Sequence, residues 1–183
     1  MADDSFVGKH AMPVNDLREF IEAARKLGQV KDIHGAHWNL EIGALTELFA
    51  FKEPSPMVVF DQIPDYPPNF RVVSNIVSNP VRSGLTVGMS ADAKPIELVA
   101  KWRDLLKGVK PIPPRLVTSG PILENVKAGD DIDMTMFPAP HWHELDGGRY
   151  IGTADCVITA EPEEGGWINV GIYRVQVHGK RTL

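Results

Sequence analysis

The sequence has little cysteine, no long apolar run and no excess of positive charge. Cys156 is the one cysteine among 183 residues, so the chain cannot form an internal disulfide. Cys156 lies in an apolar run, which predicts a buried and unreactive thiol. No apolar stretch approaches the roughly 18 residues of a membrane-spanning helix. The net charge of −5 argues against nucleic-acid binding, which needs a basic face.

These absences predict a cytoplasmic protein. The N-terminus, Met1–Ser5, is acidic and has no apolar core, so it does not have the pattern of a signal peptide. Hydrophobic residues make up 43% of the sequence and charged residues 23%, the ordinary proportions of a globular protein. We therefore expect neither a membrane nor a nucleic acid among its partners.

Common catalytic motifs are also missing. The sequence has no G-x-S-x-G nucleophile elbow, and its glycine-rich pieces match neither the P-loop nor the dinucleotide fingerprint. His141 and His143 could point to one side of an extended chain and hold a metal. However, only two ligands are local and prolines flank them, so a structural loop is the better interpretation. The acidic run Asp130–Asp133 is typical of a solvated turn.

The first half of the sequence alternates helical and strand patterns. Apolar residues at helical spacing predict helices over 15–27 and 40–51. The second helix should turn four apolar side chains inward: Leu40, Leu45, Leu48 and Phe49. Asp92 and Pro95 predict the start of a third helix, which carries an apolar stripe from Ile96 to Leu106. Strands are predicted at 29–33, 57–60 and 71–77, which together give an α/β layer arrangement.

The composition changes near Lys107. Four prolines and two glycines between residues 107 and 121 predict a linker. Beyond it the helical period ends, and two strands are predicted at 149–160 and 167–177, joined by a turn at 161–166. The sequence thus predicts an α+β protein with three parts: an α/β domain at 1–106, a Pro-rich linker at 107–121 and a mostly β domain at 122–183.

The last predicted strand carries two residues that strands rarely hold. Alternation places Asn169 on one face and Arg174 on the other, with Ile172 beside Arg174 and Tyr173 beside Asn169. Asparagine is a poor strand former, and Arg174 is a costly charge among apolar neighbours. A β-barrel strand accepts such residues where a ligand or a counter-charge satisfies them. The alternative is an edge strand with Arg174 in solvent and Asn169 near the turn.

This strand resembles a motif of the UbiD family of decarboxylases. The resemblance is carried by residues 169–176, N-V-G-I-Y-R-V-Q, followed by Gly179 and Lys180. Supporting stretches are 16–20, the turn at Gly28, and residues 141–153, H-W-H-E-L-D-G-G-R-Y-I-G-T. The similarity runs through nearly the whole sequence from about Met12. It implies an N-terminal α/β domain followed by the first part of a split β-barrel, related to flavin reductases.

The resemblance also implies cofactors and site residues. The family uses prenylated FMN, bound through its phosphate to Mn²⁺ and usually a neighbouring K⁺. Asn169 would bind the divalent metal through its amide oxygen, a ligand that suits a hard cation. Arg174 would be a catalytic residue that orients the catalytic carboxylates and the substrate acid. Ile172, Tyr173 and Arg174 would bind the cofactor, since the family's backbone runs beside the flavin there.

The implied reaction is the reversible decarboxylation of an aromatic or α,β-unsaturated carboxylic acid through a prenylated FMN adduct. In this family, the metal-binding histidine and glutamate and two further glutamates should lie beyond Leu183. We therefore expect the chain alone to be inactive, and a homo-oligomer or a second chain to supply the rest of the barrel. Two alternatives are a non-catalytic assembly partner of a full-length homologue and a simple flavin-binding module.

Overall fold

The computed structural model describes residues 14–110, 117–163 and 166–183, and it mixes helices with strands. In chain order the elements are α1 (Leu17–Lys26), β1 (Val30–His34), α2 (Glu41–Ala50), β2 (Met57–Asp61), β3 (Val72–Ser74), α3 (Pro80–Leu85), α4 (Pro95–Gly108), β4 (Arg149–Ala160) and β5 (Ile168–Val177). One sheet has the order β1-β2-β3, and β4 pairs with β5 in a two-stranded sheet. The predicted mixture of α and β structure is confirmed, whereas the split barrel stays a prediction.

Contacts within the chain divide it into two compact units that alternate along the sequence. The first unit holds the described parts of Met1–Asp32, Leu48–Val59 and Val73–Gly120, and the second holds those of Ile33–Glu47, Phe60–Val72 and Pro121–Leu183. The predicted domain boundaries, 1–106, 107–121 and 122–183, stay a prediction. Residues 111–116 of the predicted linker and 164–165 of the predicted turn lie outside the described residues.

The core of the first unit lies between α1 and β2. Phe20, Ile21 and Ala24 recur at helical spacing, and all three are buried on one face of α1. They pack against Met57 and Val59 of β2, which are also buried. The apolar periodicity of α1 therefore gives both the helix and the face that it buries.

Local capping sets both ends of α1. Asp16 precedes the helix, and its Oδ1 accepts a hydrogen bond from the backbone N–H of Glu19 at 2.9 Å. Gly28 follows the helix with φ of +67°, a left-handed conformation that glycine adopts without a steric penalty. The helix predicted over 15–27 is thus confirmed, with its ends one or two residues inside the predicted limits.

A short helix that the sequence analysis missed, α3, carries a fully buried arginine. Asn79 caps α3, and its Oδ1 accepts a hydrogen bond from the Arg82 backbone N–H. The Arg82 guanidinium donates five hydrogen bonds of 2.8–3.1 Å. The acceptors are the backbone oxygens of Ser55, Asn75 and Ile76, Gln29 Oε1 and Ser78 Oγ. Neutral oxygens thus satisfy a buried cation, which would otherwise be costly.

The α4 helix is found where it was predicted, but its apolar stripe is not a core. Ile96, Val99, Trp102 and Leu106 are 51–72% exposed, and only the edge with Leu98 and Leu105 is half-buried. The helix begins after Lys94 rather than after Asp92. No helix in the described ranges is both long and apolar enough to cross a membrane.

The α2 helix buries a different set of side chains from the predicted one. Ile42 is fully buried, whereas Leu48, which was predicted to face inward, is 56% exposed. Gly43 lies directly against the loop that precedes β4. A Cβ atom on Gly43 would stand 1.8 Å from the backbone oxygen of Trp142, so only glycine fits there. This close approach, rather than the spacing of leucines, fixes the buried face of α2.

Two His-Trp segments pair in the second unit. Asn39 and His141 form a parallel bridge between the segments 37–39 and 141–143. The His141 N–H donates to the Trp38 oxygen at 3.0 Å, and the Leu40 N–H donates to the His141 oxygen at 2.9 Å. The first segment leads into α2, and the second leads towards β4. The pairing therefore ties the start of α2 to the loop that positions β4.

The first sheet is shorter at β3 than the sequence predicts. β3 covers Val72–Ser74 instead of 71–77. Asn75 follows with φ of +54°, which cannot continue an extended strand. The other strands lie within one or two residues of their predicted positions.

Candidate functional site

The β4–β5 hairpin carries all four predicted site residues. The strands are antiparallel, with regular pairing from Ala160–Ile168 to Asp155–Tyr173. Two register shifts flank Gly152, and each adds one residue to β4, as β-bulges do. The extra residues lie in β4, while β5 continues without an insertion past Arg174, which faces the second shift, so the side chains of β5 alternate between the two faces of the hairpin.

The two faces of the hairpin differ in character. On the face that we call the polar face, the cross-strand pairs are Asn169–Thr159, Gly171–Val157 and Tyr173–Asp155. On the other, which we call the apolar face, the pairs are Ile168–Ala160, Val170–Ile158 and Ile172–Cys156, with Arg174 next along β5. Asn169 and Tyr173 therefore lie on the polar face, whereas Ile172 and Arg174 lie on the apolar face.

All four predicted site residues are exposed, and the described part of the chain does not enclose them. This arrangement is what the edge-strand alternative predicts for Asn169 and Arg174. Their roles in a cofactor pocket stay a prediction, because the walls of that pocket would have to come from other polypeptide. Cys156 is exposed too, so the predicted burial of its thiol is wrong. The reason is that no described residues cover the apolar face.

The donor set for a metal ion is incomplete in this chain. Within the described ranges, no group of three or more histidine, cysteine, aspartate or glutamate side chains could hold a metal. Asn169 offers one amide oxygen on an exposed strand face. A single neutral oxygen does not bind a divalent cation, which takes about six oxygen ligands. The residues present therefore do not fit a manganese site by themselves, and we derive no reaction step through that metal.

Two glycines of the polar face make room for neighbouring side chains. A Cβ on Gly171 would stand 2.3 Å from Cε2 of Tyr173, because the tyrosine ring folds back over the strand. A Cβ on Gly152 would stand 2.3 Å from Oδ1 of Asp155. Asp155 Oδ2 is buried and has no hydrogen-bond partner among the described residues. The polar face thus presents one aromatic ring and one carboxylate side by side.

The histidines of the H-W-H segment have different surroundings. His141 Nδ1 lies 2.9 Å from Asn39 Oδ1, while its Nε2 is buried without a hydrogen-bond partner in the described structure. His143 is exposed, with Nε2 3.8 Å from Glu47 and Nδ1 3.6 Å from Asp146. The two imidazoles therefore have separate partners, in agreement with the interpretation of this segment as a structural loop.

An aromatic cluster around Arg149 was not predicted. The Arg149 guanidinium carbon lies 4.1 Å from the centre of the Trp38 ring and 5.7 Å from that of Tyr66. Its Nε donates to the Ala139 oxygen at 2.7 Å, and it also bonds to the Tyr66 hydroxyl. Trp38 Nε1 donates in turn to Asp65 at 3.2 Å. This cluster fixes the start of β4, and no local sequence signal could reveal it, since Arg149 and Tyr66 are 83 residues apart.

Comparison with protein families gives two matches in succession along the chain. Residues 21–102 match the N-terminal domain of 3-octaprenyl-4-hydroxybenzoate carboxy-lyase. Residues 115–183 match the Rift-related domain of the same enzyme. The second match includes the β4–β5 hairpin, and therefore all four predicted site residues.

Individual relatives agree with the family match. The pyrrole-2-carboxylic acid decarboxylase of Pseudomonas aeruginosa is 33% identical over 176 residues, which cover 92% of this chain and 35% of that protein. The closed form of the vanillic acid decarboxylase of Sedimentibacter hydroxybenzoicus aligns with a TM-score of 0.76 and 29% identity, covering 91% of this chain and 36% of that one.

A more distant structure shows the same fold. An evolved dimeric form of the UbiD-class enzyme HmfF from Pelotomaculum thermopropionicum, in complex with prFMN, aligns with a TM-score of 0.70 and 22% identity. The alignment covers 91% of this chain and 37% of that one. In each comparison the chain spans a little over one third of the length of its relative.

Proposed function

This chain belongs to the UbiD family of decarboxylases, and we propose that it contributes part of the active site of a prenylated-FMN-dependent enzyme. The reaction would be the reversible decarboxylation of an aromatic or α,β-unsaturated carboxylic acid. The relatives named for pyrrole-2-carboxylic acid and vanillic acid support an aromatic acid in particular. The prFMN complex of the UbiD-class enzyme supports the cofactor.

The observation that carries this proposal is the continuity of the family match. The two family models together extend from residue 21 to residue 183, with a gap at 103–114. The Pseudomonas relative matches over 92% of the chain. A chance resemblance of one strand motif would not extend through both the helical half and the β half of a sequence.

The chain's own contribution would come from β5. Asn169 would offer its amide oxygen to Mn²⁺, with K⁺ nearby, once other polypeptide supplies the acidic and imidazole ligands. Arg174 would orient the substrate carboxylate, since a guanidinium binds a carboxylate through two parallel hydrogen bonds. Ile172 and Tyr173 would lie beside the flavin. Prenylated FMN supplies the electron sink for loss of carbon dioxide when it is bound.

The rest of the site would come from polypeptide outside residues 1–183, for which a second chain or further copies in a homo-oligomer are candidates. The described residues leave the hairpin with both faces exposed and provide no complete set of metal ligands. The same incompleteness favours a second candidate function, a non-catalytic partner that assembles with a full-length homologue. Binding of flavin by the isolated chain without any metal dependence would favour a third, a simple flavin-binding module.

A fusion protein tests the proposed function. The chain is joined to the part of the Pseudomonas relative outside the matched segment, and release of carbon dioxide from pyrrole-2-carboxylate is measured with prenylated FMN and Mn²⁺. We expect turnover by the fusion and none by the 183-residue chain alone. Asn169→Ala should lower both turnover and bound manganese by at least about 100-fold. Loss of a residue that only orients a metal ligand costs up to about 100-fold, and loss of a direct ligand should cost no less.

The matched control is Thr159→Ala, which changes the cross-strand neighbour of Asn169 and should leave both measurements within about twofold of the unsubstituted fusion. Full activity and full manganese content in the Asn169→Ala fusion would contradict the assigned role. A fusion that folds and binds flavin but releases no carbon dioxide would favour the assembly partner.

A further inference from the structure

The second register shift of the hairpin lies opposite Arg174. Thr153 and Ala154 lie together between two regular cross-strand pairs, and both face the single residue Arg174. Two residues opposite one is the arrangement of a β-bulge. The regular pairs on either side of the bulge are Asp155–Tyr173 and Gly152–Val175.

The bulge changes the direction in which Arg174 can point. In a regular ladder Arg174 would continue the aliphatic row of Val170 and Ile172, where a charge among apolar neighbours is costly. A bulge bends its strand, increases the local twist and re-aims the side chains beside it. The two residues opposite Arg174 are small, and both are exposed. The guanidinium thus has space to turn out of the aliphatic row.

Gly152 and Asp155 pack together on the polar face of the bulge. A Cβ atom on Gly152 would stand 2.3 Å from Oδ1 and 2.6 Å from Oδ2 of Asp155, so the carboxylate occupies the space that a side chain would need. The two residues are three apart in sequence, and in an uninterrupted strand their side chains would point to opposite faces. The extra residue of the bulge brings them to the same face. The contact therefore requires the bulged register.

Stability does not explain this packing. Asp155 Oδ2 is buried, and it has no hydrogen-bond partner in the part of the chain that the structure describes. A buried acceptor without a donor is costly. Costly local features persist at functional sites, where the direction of a side chain matters more than stability. The functional side chain beside this bulge is Arg174.

We propose that the Thr153–Ala154 bulge, packed by the Asp155 carboxylate over Gly152, aims the Arg174 guanidinium at the substrate carboxylate. The inference rests on the proposed function, in which Arg174 binds that carboxylate. Two parallel hydrogen bonds from a planar guanidinium need a fixed direction, whereas a flexible ammonium group needs much less guidance. Gly152 and Ala154 are therefore positioning residues, which act through Arg174.

Deletion of Ala154 tests the proposal, because it leaves one residue opposite Arg174 and keeps the pairs on both sides. The matched control is deletion of Ile151, the extra residue of the first register shift, which does not face Arg174. Both deletions are made in the fusion with the Pseudomonas polypeptide, and kcat/KM is measured for pyrrole-2-carboxylate.

We expect deletion of Ala154 to lower kcat/KM by about 10–100-fold, the effect of misplacing a group that orients the substrate. Deletion of Ile151 should change kcat/KM by less than about threefold. An equal loss in both variants, or no loss without Ala154, would overturn the proposal.

An Arg174→Lys fusion separates aiming from general damage to the hairpin. Its ammonium is a compact charge on a flexible stem, so it depends less on the direction of the backbone. Arg174→Lys should itself lower kcat/KM, and deletion of Ala154 in that background should lower it by less than about threefold further. An undiminished further loss would overturn the proposal, because the deletion would then damage the hairpin as a whole.

Gly152→Ala disturbs the same bulge without a deletion. The new methyl group meets the Asp155 carboxylate, so kcat/KM should fall by at least about tenfold. Asp155→Ala should restore it to within about threefold in the double variant, because the methyl group then takes the space that the carboxylate leaves. A fully active Gly152→Ala fusion, or a double variant as impaired as Gly152→Ala, would overturn the proposal.

Two measurements separate this inference from the proposed function. In the 183-residue chain alone, magnetic resonance contacts between backbone protons should place Thr153 and Ala154 together opposite Arg174. A single residue opposite Arg174 would overturn the inference, whatever the activity of the fusion. In a fusion that folds but releases no carbon dioxide, calorimetry gives the Kd for pyrrole-2-carboxylate. A Kd raised by deletion of Ala154 and not of Ile151 would support the bulge and contradict the proposed reaction, whereas an unchanged Kd would overturn the inference as well.

Discussion

Arg82 shows how a single residue can organise the first unit. Its five hydrogen bonds join three backbone oxygens to the side chains of Gln29 and Ser78. Burial lowers the pKa of Arg82 from its usual range, yet a guanidinium stays protonated in proteins. The charge is therefore permanent, and the surrounding oxygens are held in place by it.

Replacing Arg82 with alanine should destabilise the chain by about 3–5 kcal/mol, because the buried carbonyl groups would lose their donors and a cavity would form. Arg82→Lys should recover only part of this loss, since an ammonium cannot reproduce the planar fork of donors. Urea denaturation followed by circular dichroism measures both effects. Arg103→Ala, on the exposed face of α4, is the control and should stay within about 0.5 kcal/mol of the original chain. An equal loss in the two alanine variants would contradict this account.

Asp16 connects the N-terminal cap of α1 to pH. The backbone N–H of Glu19 is the main cause that lowers the pKa of Asp16 below its ordinary value of 3.8, and Arg18 adds to it. The folded pKa is below the unfolded one, so the charged cap stabilises the fold above about pH 4. This stabilisation is lost as pH falls through the folded pKa.

We therefore expect Asp16→Asn to be less stable than the original chain at pH 7 and closer to it in stability near pH 2, because Asp16 takes up a proton as pH falls through its folded pKa. Asparagine keeps an oxygen for the cap, so this variant isolates the effect of charge. Asp16→Ala loses the oxygen as well, and its deficit should persist at low pH. Urea midpoints at the two pH values measure this. A difference between Asp16→Asn and the original chain that does not depend on pH would exclude the charge as its cause.

At the level of elements, the helices that form on local signals were the predictable ones. α1 has a capping residue, an apolar period and a terminal glycine within one short segment, so the local sequence predicts its start, its end and its buried face. The sequence analysis missed α3 because Pro80–Leu85 is shorter than two helical turns, which is too short to show a periodic pattern. The helix also contains Gly84, a poor helix former. The position of α4 was predicted, but its packing was not, since periodicity shows an apolar face without showing what covers it.

The contact between α2 and the loop before β4 gives an element-level prediction. Gly43→Ala should destabilise the chain by about 1–3 kcal/mol or more, because the new methyl group meets the Trp142 backbone oxygen and backbone cannot yield as a side chain does. Gly108→Ala is the matched control, since nothing lies within 4 Å of a Cβ at that helical position. It should be neutral or stabilising by up to about 1 kcal/mol. Thermal or urea unfolding measures the stability of both variants. A Gly43→Ala variant more stable than Gly108→Ala would contradict the predicted clash with the Trp142 backbone.

At the level of the whole molecule, the family and the mixed α and β architecture were accessible from sequence, whereas the cross-strand partners and the exposure of the predicted site residues were not. The motif at residues 169–176 indicated the family because its unusual residues are adjacent in sequence, and the strand predicted there is observed as β5. Which side chains share a face with which partners depended on the register with β4, including two bulges that no periodic pattern predicts. The predicted cytoplasmic location stays a prediction, as do the metal ions and the domain boundaries.

The pairing of the two His-Trp segments also limits the order in which parts of the chain can fold during synthesis. Asn39 and His141 are 102 residues apart, so the N-terminal segment leaves the ribosome long before its partner exists. At synthesis rates of about 5–20 residues per second, that interval is about 5–20 s. During this time the α2 helix lacks the Trp142 backbone against which Gly43 lies in the folded chain. The second unit can therefore complete its fold only after residue 142 has been made, whereas α1 and β2 can meet as soon as residue 59 emerges.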